Sequence, residues 1–183
     1  MGQKMFSSEL WNNPGGSSQV LTQKAIFGFG TNGGTRTGVT NLVSDSGVVA
    51  TDTTGVGTAR ETPAAAGYGG DKAIFGFGGA SGGRTAITNL VSNSGVVASD
   101  TSGVGTVRNE LGAAAYGEDK AIFGFGVDNT HEIDGNDKTA ITNLVSNSGV
   151  VASDTAGVGS PRGVIAAAGY GGDKAIFGFG FLA

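Results

Sequence analysis

The heptapeptide KAIFGFG at residues 72–78 decides the fold, and it occurs four times, beginning at Lys24, Lys72, Lys120 and Lys174. The copies lie 48, 48 and 54 residues apart, and most of the sequence between them repeats as well. Self-similarity at such a period indicates a chain built by copying one supersecondary unit. A residue present in every copy is therefore expected to serve the architecture, and function is sought where the copies differ.

Apolar residues alternate within the heptapeptide, and this period of two predicts a β-strand. The pattern places Ala73, Phe75 and Phe77 on one face of the strand and Ile74, flanked by glycines, on the other. We expect the phenyl rings of one unit to pack on the glycine-rich face of the next, so that the sheets come close together.

Three further segments of each unit also resemble strands. AAAGYG at 64–69 is small and extended, and ITNLVSNSGVVASDT at 87–101 is two β-branched strands joined by an Asn-Ser-Gly turn. Four antiparallel strands in about 50 residues is typical of a β-propeller blade. The sequence therefore predicts an all-β fold of propeller-type blades, with a β-solenoid as the alternative.

The order of these segments resembles a kelch-type repeat over about residues 18–180. That family has a double glycine after its second strand, which Gly78 and Gly79 match, and a tryptophan near the end of each unit. The tryptophan is missing here, because Trp11 lies outside the units. The amino-acid sequence of the units is also similar to repeats in bacteriophage tail or surface proteins. This second resemblance implies a structural component of a virion.

The repeats define the domain organisation. An N-terminal arm precedes units whose approximate bounds are listed here: arm 1–17, units 18–60, 60–108 and 108–162, and a partial unit 162–183. These supply about 14 strands, or three and a half blades, whereas propellers use about four to eight.

Incomplete blades leave sheet edges, and such edges associate. We therefore expect a homo-oligomer, most simply a dimer whose about 28 strands complete a seven-bladed ring. The expected assembly residues are apolar residues of the arm and of the last strand: Phe6, Leu10, Trp11, Phe177 and Phe179.

Composition narrows the functional classes. Glycine is 36 of 183 residues, charged residues are 14%, and the net charge is −4 without a basic stripe, which argues against nucleic-acid binding. No run of about 18 apolar residues could span a membrane. The first residues lack the apolar core of a signal peptide, so we expect a protein that is not secreted and leave its location otherwise unassigned. The absence of cysteine excludes disulfides and thiolate metal sites.

Aspartate and arginine recur in every unit. The aspartates stand in D-T-x-G-V-G and the arginines follow eight residues later: Asp52, Asp100 and Asp154, then Arg60, Arg108 and Arg162. Catalytic acid–base pairs need two different environments to separate their pKa values. Identical settings instead favour an Asp-capped turn or an Asp–Arg pair between blades.

The clearest departure from the repeat is VDNTHEIDGNDK at 127–138, which contains the only histidine, His131. Its carboxylates could hold calcium, which prefers oxygen ligands; they are Asp128, Glu132, Asp134 and Asp137. The spacing differs from the EF-hand order, so a solvated acidic loop or a partner contact are the alternatives. No cofactor is expected.

Two other sequence patterns are compatible with a binding function. The glycine-rich stretches 28–34 and 76–83 resemble phosphate-cradling loops, but no helix pattern or Walker lysine follows them, which favours architectural glycine. Tyr68, Tyr116 and Tyr170 recur in each unit and could bind sugars, or could be structural.

No nucleophile–histidine–acid motif is present, so an enzyme is not expected. A non-catalytic structural or interaction protein that forms an oligomeric propeller is the first hypothesis, and a carbohydrate-binding repeat lectin or adhesin is the alternative.

Overall fold

The computed structural model describes residues 25–128 and 137–182, and these residues form strands and turns without any helix. The strands are β1 Ala25–Gly28, β2 Thr31–Asn32, β3 Thr35–Arg36, β4 Thr40–Val43, β5 Ala64–Tyr68, β6 Lys72–Gly76, β7 Gly79–Ala80, β8 Gly83–Arg84, β9 Thr88–Val91, β10 Gly112–Tyr116, β11 Lys120–Gly124, β12 Thr142–Val145, β13 Arg162–Gly163, β14 Ala166–Tyr170, β15 Lys174–Gly178 and β16 Phe181–Leu182. The predicted all-β fold is confirmed. The arm residues Phe6, Leu10 and Trp11 lie outside the described residues.

Each repeat folds as an antiparallel sheet in which each strand pairs with the next one of that sheet along the chain, with a short hairpin inserted before β4 in the first repeat and before β9 in the second. Sheet II is β5-β6-β9, and bridges from Val91 to Val97 and from Thr88 to Thr101 add residues 97–101 as a fourth strand. The equivalent sheets of the other repeats are sheet I (β1, β4 and 49–53), sheet III (β10, β11, β12 and 151–155) and sheet IV (β14 and β15). Three separate two-stranded sheets are formed by β2 with β3, β7 with β8, and β13 with β16. Sheets II and III thus contain the four predicted strands, and closure into a ring stays a prediction.

Phenyl rings of one sheet pack on glycines of its neighbour, as the sequence predicts. A Cβ atom at Gly76 would lie 2.7 Å from Cζ of Phe123, which belongs to the next sheet. Gly124 and Phe177 repeat this contact between sheets III and IV, with 3.0 Å to Cζ. Each glycine leaves the space that a ring fills, and this brings the sheets together.

The predicted common face of Phe75 and Phe77 is wrong. Phe75 packs on Phe29 of sheet I with ring centroids 5.1 Å apart, whereas Phe77 packs on Phe123 of sheet III at 5.2 Å. The cause is the backbone of Phe77, whose φ of 62° lies in the left-handed region and interrupts the alternation of a strand. The equivalent phenylalanines share this conformation: Phe29, Phe125 and Phe179, each with φ of 63°.

An apolar layer lies between each pair of neighbouring sheets. The layer between sheets II and III is the largest and includes Ile74, Phe123 and Val145, which are all inaccessible to solvent. The first strands of successive sheets also stack closely, because a Cβ at Gly112 of β10 would lie 3.0 Å from the Cβ of Ala167 in β14. Small residues in the first strands are thus required by this close approach.

Candidate functional site at the sheet junctions

A buried arginine lies at the junction of sheets II and III. Arg108 follows the last strand of sheet II, and its guanidinium carbon sits 4.5 Å from the ring centroid of Phe77. Its Nη2 donates a hydrogen bond of 2.6 Å to Oδ1 of Asn143 in sheet III, and the arginine is fully buried. The side chain therefore joins two neighbouring sheets through one aromatic contact and one amide contact.

Asp154 completes this junction. Asn143 Nδ2 donates to Oδ1 of Asp154 at 2.8 Å, and Nη1 of Arg108 lies 3.6 Å from the same oxygen. The other carboxylate oxygen accepts hydrogen bonds from the backbone N–H and the hydroxyl of Thr106, at 3.0 and 2.8 Å. The predicted Asp–Arg pair between sheets is confirmed here, whereas the hydrogen bonds from Thr106 come from 48 residues earlier and do not cap the turn of the aspartate's own D-T-x-G-V-G segment.

The junction of sheets I and II repeats the arrangement. Arg60 lies 4.5 Å from the ring centroid of Phe29 and donates to Oδ1 of Asn89 at 2.5 Å. Asp100 accepts from Nδ2 of Asn89 at 2.9 Å and from the backbone N–H of Thr58 at 3.0 Å. Two junctions of the same chain therefore use one arginine–asparagine–aspartate set, which we call the junction triad.

Glycine of the G-V-G triplet makes room for the junction triad. Gly105 has a φ of 87°, and a Cβ there would collide with Oδ1 of Asp154 and lie 2.8 Å from Nδ2 of Asn143. Gly57 stands in the same relation to Asp100, with φ of 86°. The triplet is thus tied to the aspartate of the next sheet.

Sequence reasoning missed the asparagine of the junction triad. Asn89 and Asn143 stand in the middle of the TNLV strands, where an amide is unusual among β-branched and leucine residues. Both are fully buried, and a buried amide requires hydrogen-bond partners. The signal was a polar residue inside a strand in every copy.

Burial and hydrogen bonding set the charge state of the junction triad. Burial lowers the pKa of Arg108, while the negative charge of Asp154 opposes that shift. Burial alone would raise the pKa of Asp154, but hydrogen bonds from Asn143 and Thr106 and the charge of Arg108 outweigh it and lower that pKa. The pKa of Asp100 is lowered in the same way, with Thr58, Asn89 and Arg60 as the stabilising groups that outweigh burial. Both carboxylates are therefore held in the ionised form.

Acid is expected to destabilise the protein through these carboxylates. Because their pKa values are lower in the folded state, their contribution is fully present above the unfolded pKa of about 3.9 and is lost as the pH falls through the folded value. We expect the melting temperature to fall below about pH 4. Asp154→Asn should melt lower than wild type at pH 7 but lose less on acidification, as calorimetry from pH 7 to 2 would measure.

The control is Asp45→Asn, at an exposed turn where the other two copies carry asparagine, at 93 and 147. This variant should keep the acid dependence of wild type. An Asp154→Asn curve parallel to wild type throughout would contradict the assignment.

In the described residues, the junction triad is incomplete at each end of the stack of sheets. Arg162 lies 5.0 Å from the ring centroid of Phe125, as the other arginines lie on their phenylalanines, but it donates instead to the carbonyl of Phe179 at 3.2 Å. At the other end, Asn41 donates to Asp52 at 2.8 Å with no arginine of the described residues beside them. The chain thus presents half of a junction triad at each end of its stack of sheets.

A cavity of about 370 Å³ adjoins Asn41 and Asp52. Its lining includes Val39, whose counterpart Ile87 accepts a hydrogen bond from Arg60 through its carbonyl. Phe27 also lines the cavity. Val39, Asn41 and Asp52 of this lining therefore correspond to residues that lie beside arginine at the inner junctions.

The predicted tyrosine sites differ in exposure. Tyr68 is 4% exposed and belongs to the apolar layer between sheets II and III, Tyr116 is half-buried, and Tyr170 is 54% exposed on sheet IV. Burial raises the pKa of Tyr68. Exposure thus increases toward the end of the stack rather than being equal in every unit.

The predicted assembly and metal residues are placed as follows. Phe177 packs on Phe125 inside the chain, with ring centroids 5.4 Å apart, whereas Phe179 is exposed on sheet IV. Asp128 is buried, and its backbone N–H donates to the carbonyl of Asp137 at 2.7 Å. Glu132, Asp134 and His131 lie outside the described residues, and within 25–128 and 137–182 no group of three metal-ligating side chains occurs.

The glycine-rich stretches form hairpins. Stretch 28–34 contains β2 and the turn to β3, where Gly33 and Gly34 have φ of 56° and 82°, and stretch 76–83 contains β7 and the turn to β8. Positive φ at both turn residues is typical of the tight turn that matches strand twist. The architectural interpretation is therefore confirmed for Gly33 and Gly34, whereas the turn residues Ser81 and Gly82 of the second hairpin do not have positive φ.

Comparison of the chain with protein-family models and with curated proteins gave no match. In the described part of the chain, no helix has the length and apolarity needed to cross a membrane.

Proposed function

We propose that this protein is a non-catalytic structural module that self-associates through the two ends of its stack of sheets. The observation that carries the proposal is the contrast between equivalent residues inside the stack and at its ends. Phe179 of sheet IV is 88% exposed, whereas its counterpart Phe77 is fully buried by sheet III. The same side chain is covered wherever a further sheet follows.

The opposite end shows the same contrast. Val49 of sheet I is 55% exposed, and its counterpart Val97 in sheet II is 9% exposed because sheet I covers it. Both ends thus present apolar surface that the repeat itself is built to cover. Association that buries these surfaces gains about 25 cal/mol for each Å² of apolar area removed from water.

The sugar-binding alternative requires accessible tyrosines at equivalent positions, and the burial of Tyr68 favours the structural role instead. Self-association of identical chains is also consistent with a structural component of a virion, the role that the sequence of the repeats suggests. The architecture that the proposal favours is a ring of blades completed by more than one chain.

Self-association is tested by sedimentation velocity and light scattering over a range of protein concentrations. Wild type is expected to associate, and Phe179→Asn to associate less, because asparagine tolerates the positive φ of this position and removes the exposed ring. Val150→Thr is the control, since Val48, Val96 and Val150 are about equally exposed in three sheets, at 65%, 65% and 66%. A wild-type protein that stays monomeric at all concentrations would contradict the proposal.

A further inference from the structure

The ends of the stack carry complementary halves of one junction. Arg60 and Arg108 each bind the asparagine of a hydrogen-bonded asparagine–aspartate pair, Arg162 has no such pair among the described residues, and the pair Asn41–Asp52 has no arginine there. The half at each end matches the inner junctions residue for residue. Each half therefore supplies what the other lacks.

Ser160, two residues before Arg162, strengthens the match. Ser160 stands where Thr58 and Thr106 donate to Asp100 and Asp154, and it is exposed. A Cβ at Gly159 would meet nothing within 4 Å, although its counterpart Gly105 is in contact with Asp154. The surface around Gly159 is thus shaped for a carboxylate that the described chain does not place there.

The position of Arg162 determines how the halves can meet. This arginine lies on Phe125 of sheet III and precedes β14, as Arg108 lies on Phe77 and precedes β10. Arg108 binds the asparagine of the sheet that it precedes. Arg162 therefore needs an asparagine in a strand paired with β15 of its own sheet IV.

The edge of β15 can accept that strand. β15 pairs with β14 on one side, and the described residues give it no partner on the other, where β6 and β11 pair with β9 and β12. Residues 174–180 and 24–30 have the same sequence, KAIFGFG. β15 can therefore replace β1 as the partner of β4 with the same hydrogen-bonding groups.

We infer that β15 of one copy pairs with β4 of a second copy in place of β1, so that Arg162 binds Asn41 and Asp52 of that second copy. This inference rests on the proposed function and specifies the contact between copies. We call this contact, β15 of one copy paired with β4 of a second copy, the joint. The register would follow β11 and β12, in which Ile122 faces Leu144, and would place Ile176 opposite Leu42 of the second copy.

Strand exchange conserves the hydrogen bonds of β1 with β4 and adds contacts. The added contacts are the guanidinium on Asn41 and Asp52, the Ser160 donors on Asp52, and burial of Phe179 and Val49. The joint resembles domain swapping, in which a strand of another copy takes the place of the chain's own, except that the replacing strand is β15 and not β1. The ligand class of the cavity at sheet I is accordingly an arginine side chain.

The exchange also gives a sheet count that can close. With residues 97–101 and their equivalents counted as fourth strands, the described part of each copy contributes sheets II and III and half of two shared sheets, so two copies have six four-stranded sheets. One copy closing on itself would have three, and propellers use about four to eight. The joint therefore favours a dimer of six blades rather than the seven expected from the strand total.

Engineered cysteines test the joint, because the chain has none of its own. Ile176→Cys protein and Leu42→Cys protein, co-refolded from urea and oxidised, are expected to give a disulfide-linked heterodimer carrying one of each chain. Ile26→Cys protein co-refolded with Leu42→Cys protein is the control and should give none, because β1 is displaced in the exchanged dimer.

Absence of the first heterodimer, together with an internal disulfide in the double variant Ile26→Cys/Leu42→Cys, would overturn the exchange. If wild type still associates in that case, only the joint is wrong and the proposed function stands. A wild type that stays monomeric would overturn both.

Gly159→Ala gives a second readout, because within the single chain the added methyl group meets no neighbour and costs only the strain of a positive φ. Its Cβ would collide with Asp52 of the second copy, as a Cβ at Gly105 would collide with Asp154. We expect self-association to weaken by about tenfold or more. Gly172→Ala is the matched control, since Gly172 also has positive φ, 82°, and open space around it, in the turn between β14 and β15. Equal association of the two variants would overturn the joint.

Discussion

Arg108→Met is expected to lower the free energy of unfolding by about 3–5 kcal/mol, the cost of removing one partner from a buried ionic contact. Methionine fills much of the space over Phe77 but donates no hydrogen bond. Oδ1 of the fully buried Asn143 would lose its donor, and Asp154 would lose its nearest positive charge. Urea unfolding followed by circular dichroism measures the loss.

Arg162→Met is the matched control for this experiment. Arg162 lies on Phe125 as Arg108 lies on Phe77, but no asparagine or aspartate of the described residues is bound to it. At a concentration where both variants are monomeric, its loss should be about 1 kcal/mol, a typical net value for one hydrogen bond. Equal losses in the two variants would mean that stacking on phenylalanine, rather than the junction triad, makes Arg108 important.

The strand content could be predicted because the relevant signals are local. Alternation in KAIFGFG, β-branched residues in ITNLV and the Asn-Ser-Gly turn each depend on neighbours in sequence. The packing of Phe123 on Gly76 was also predictable, since a strand with rings and glycines can only stack closely where a ring meets a glycine. These features repeat in every unit and reinforce one another.

The faces of Phe75 and Phe77 could not be predicted from the same alternation. A phenylalanine with positive φ is uncommon, and nothing in a Gly-Phe-Gly triplet requires it. Arg108 covers one side of the Phe77 ring and Phe123 contacts it from sheet III. These contacts are not needed for the conformation, because Phe179 has the same positive φ although its ring is exposed. The backbone of the repeated triplet therefore interrupts the alternation in every copy, whether or not a further sheet follows.

The pairing of residues within the junction triad could not be predicted from the sequence either. The recurring aspartate and arginine predict a pair between blades without saying which copies form it, and in the structure Asp154 pairs with Arg108, which precedes its sheet. Only the stacking of sheets brings these two together, with Asn143 between them. Spacing in sequence could indicate that a pair exists but not which copies form it.

Gly105→Ala is expected to lower the free energy of unfolding by about 3 kcal/mol. About 1–2 kcal/mol comes from the left-handed backbone, since φ is 87° there, and the rest from the collision of the new methyl group with Asp154. Gly159→Ala is the matched variant, because its φ is 98° and nothing lies within 4 Å of the added atom. In monomeric protein it should show only the backbone cost, and urea unfolding of both variants isolates the collision.

A double-mutant cycle separates these two costs within one site. Asp154→Ala removes the carboxylate that the added methyl group would meet, so Gly105→Ala should cost less in that background than in wild type. Residues in direct contact commonly show interaction energies of about 0.5–3 kcal/mol in such cycles. An additive cycle would mean that glycine is needed at Gly105 for its dihedral freedom alone. Non-additivity would show that the glycine of the G-V-G triplet is required because it lies against the aspartate of the next sheet. Gly159 is the equivalent glycine at the end of the stack, where the single chain places no aspartate against it.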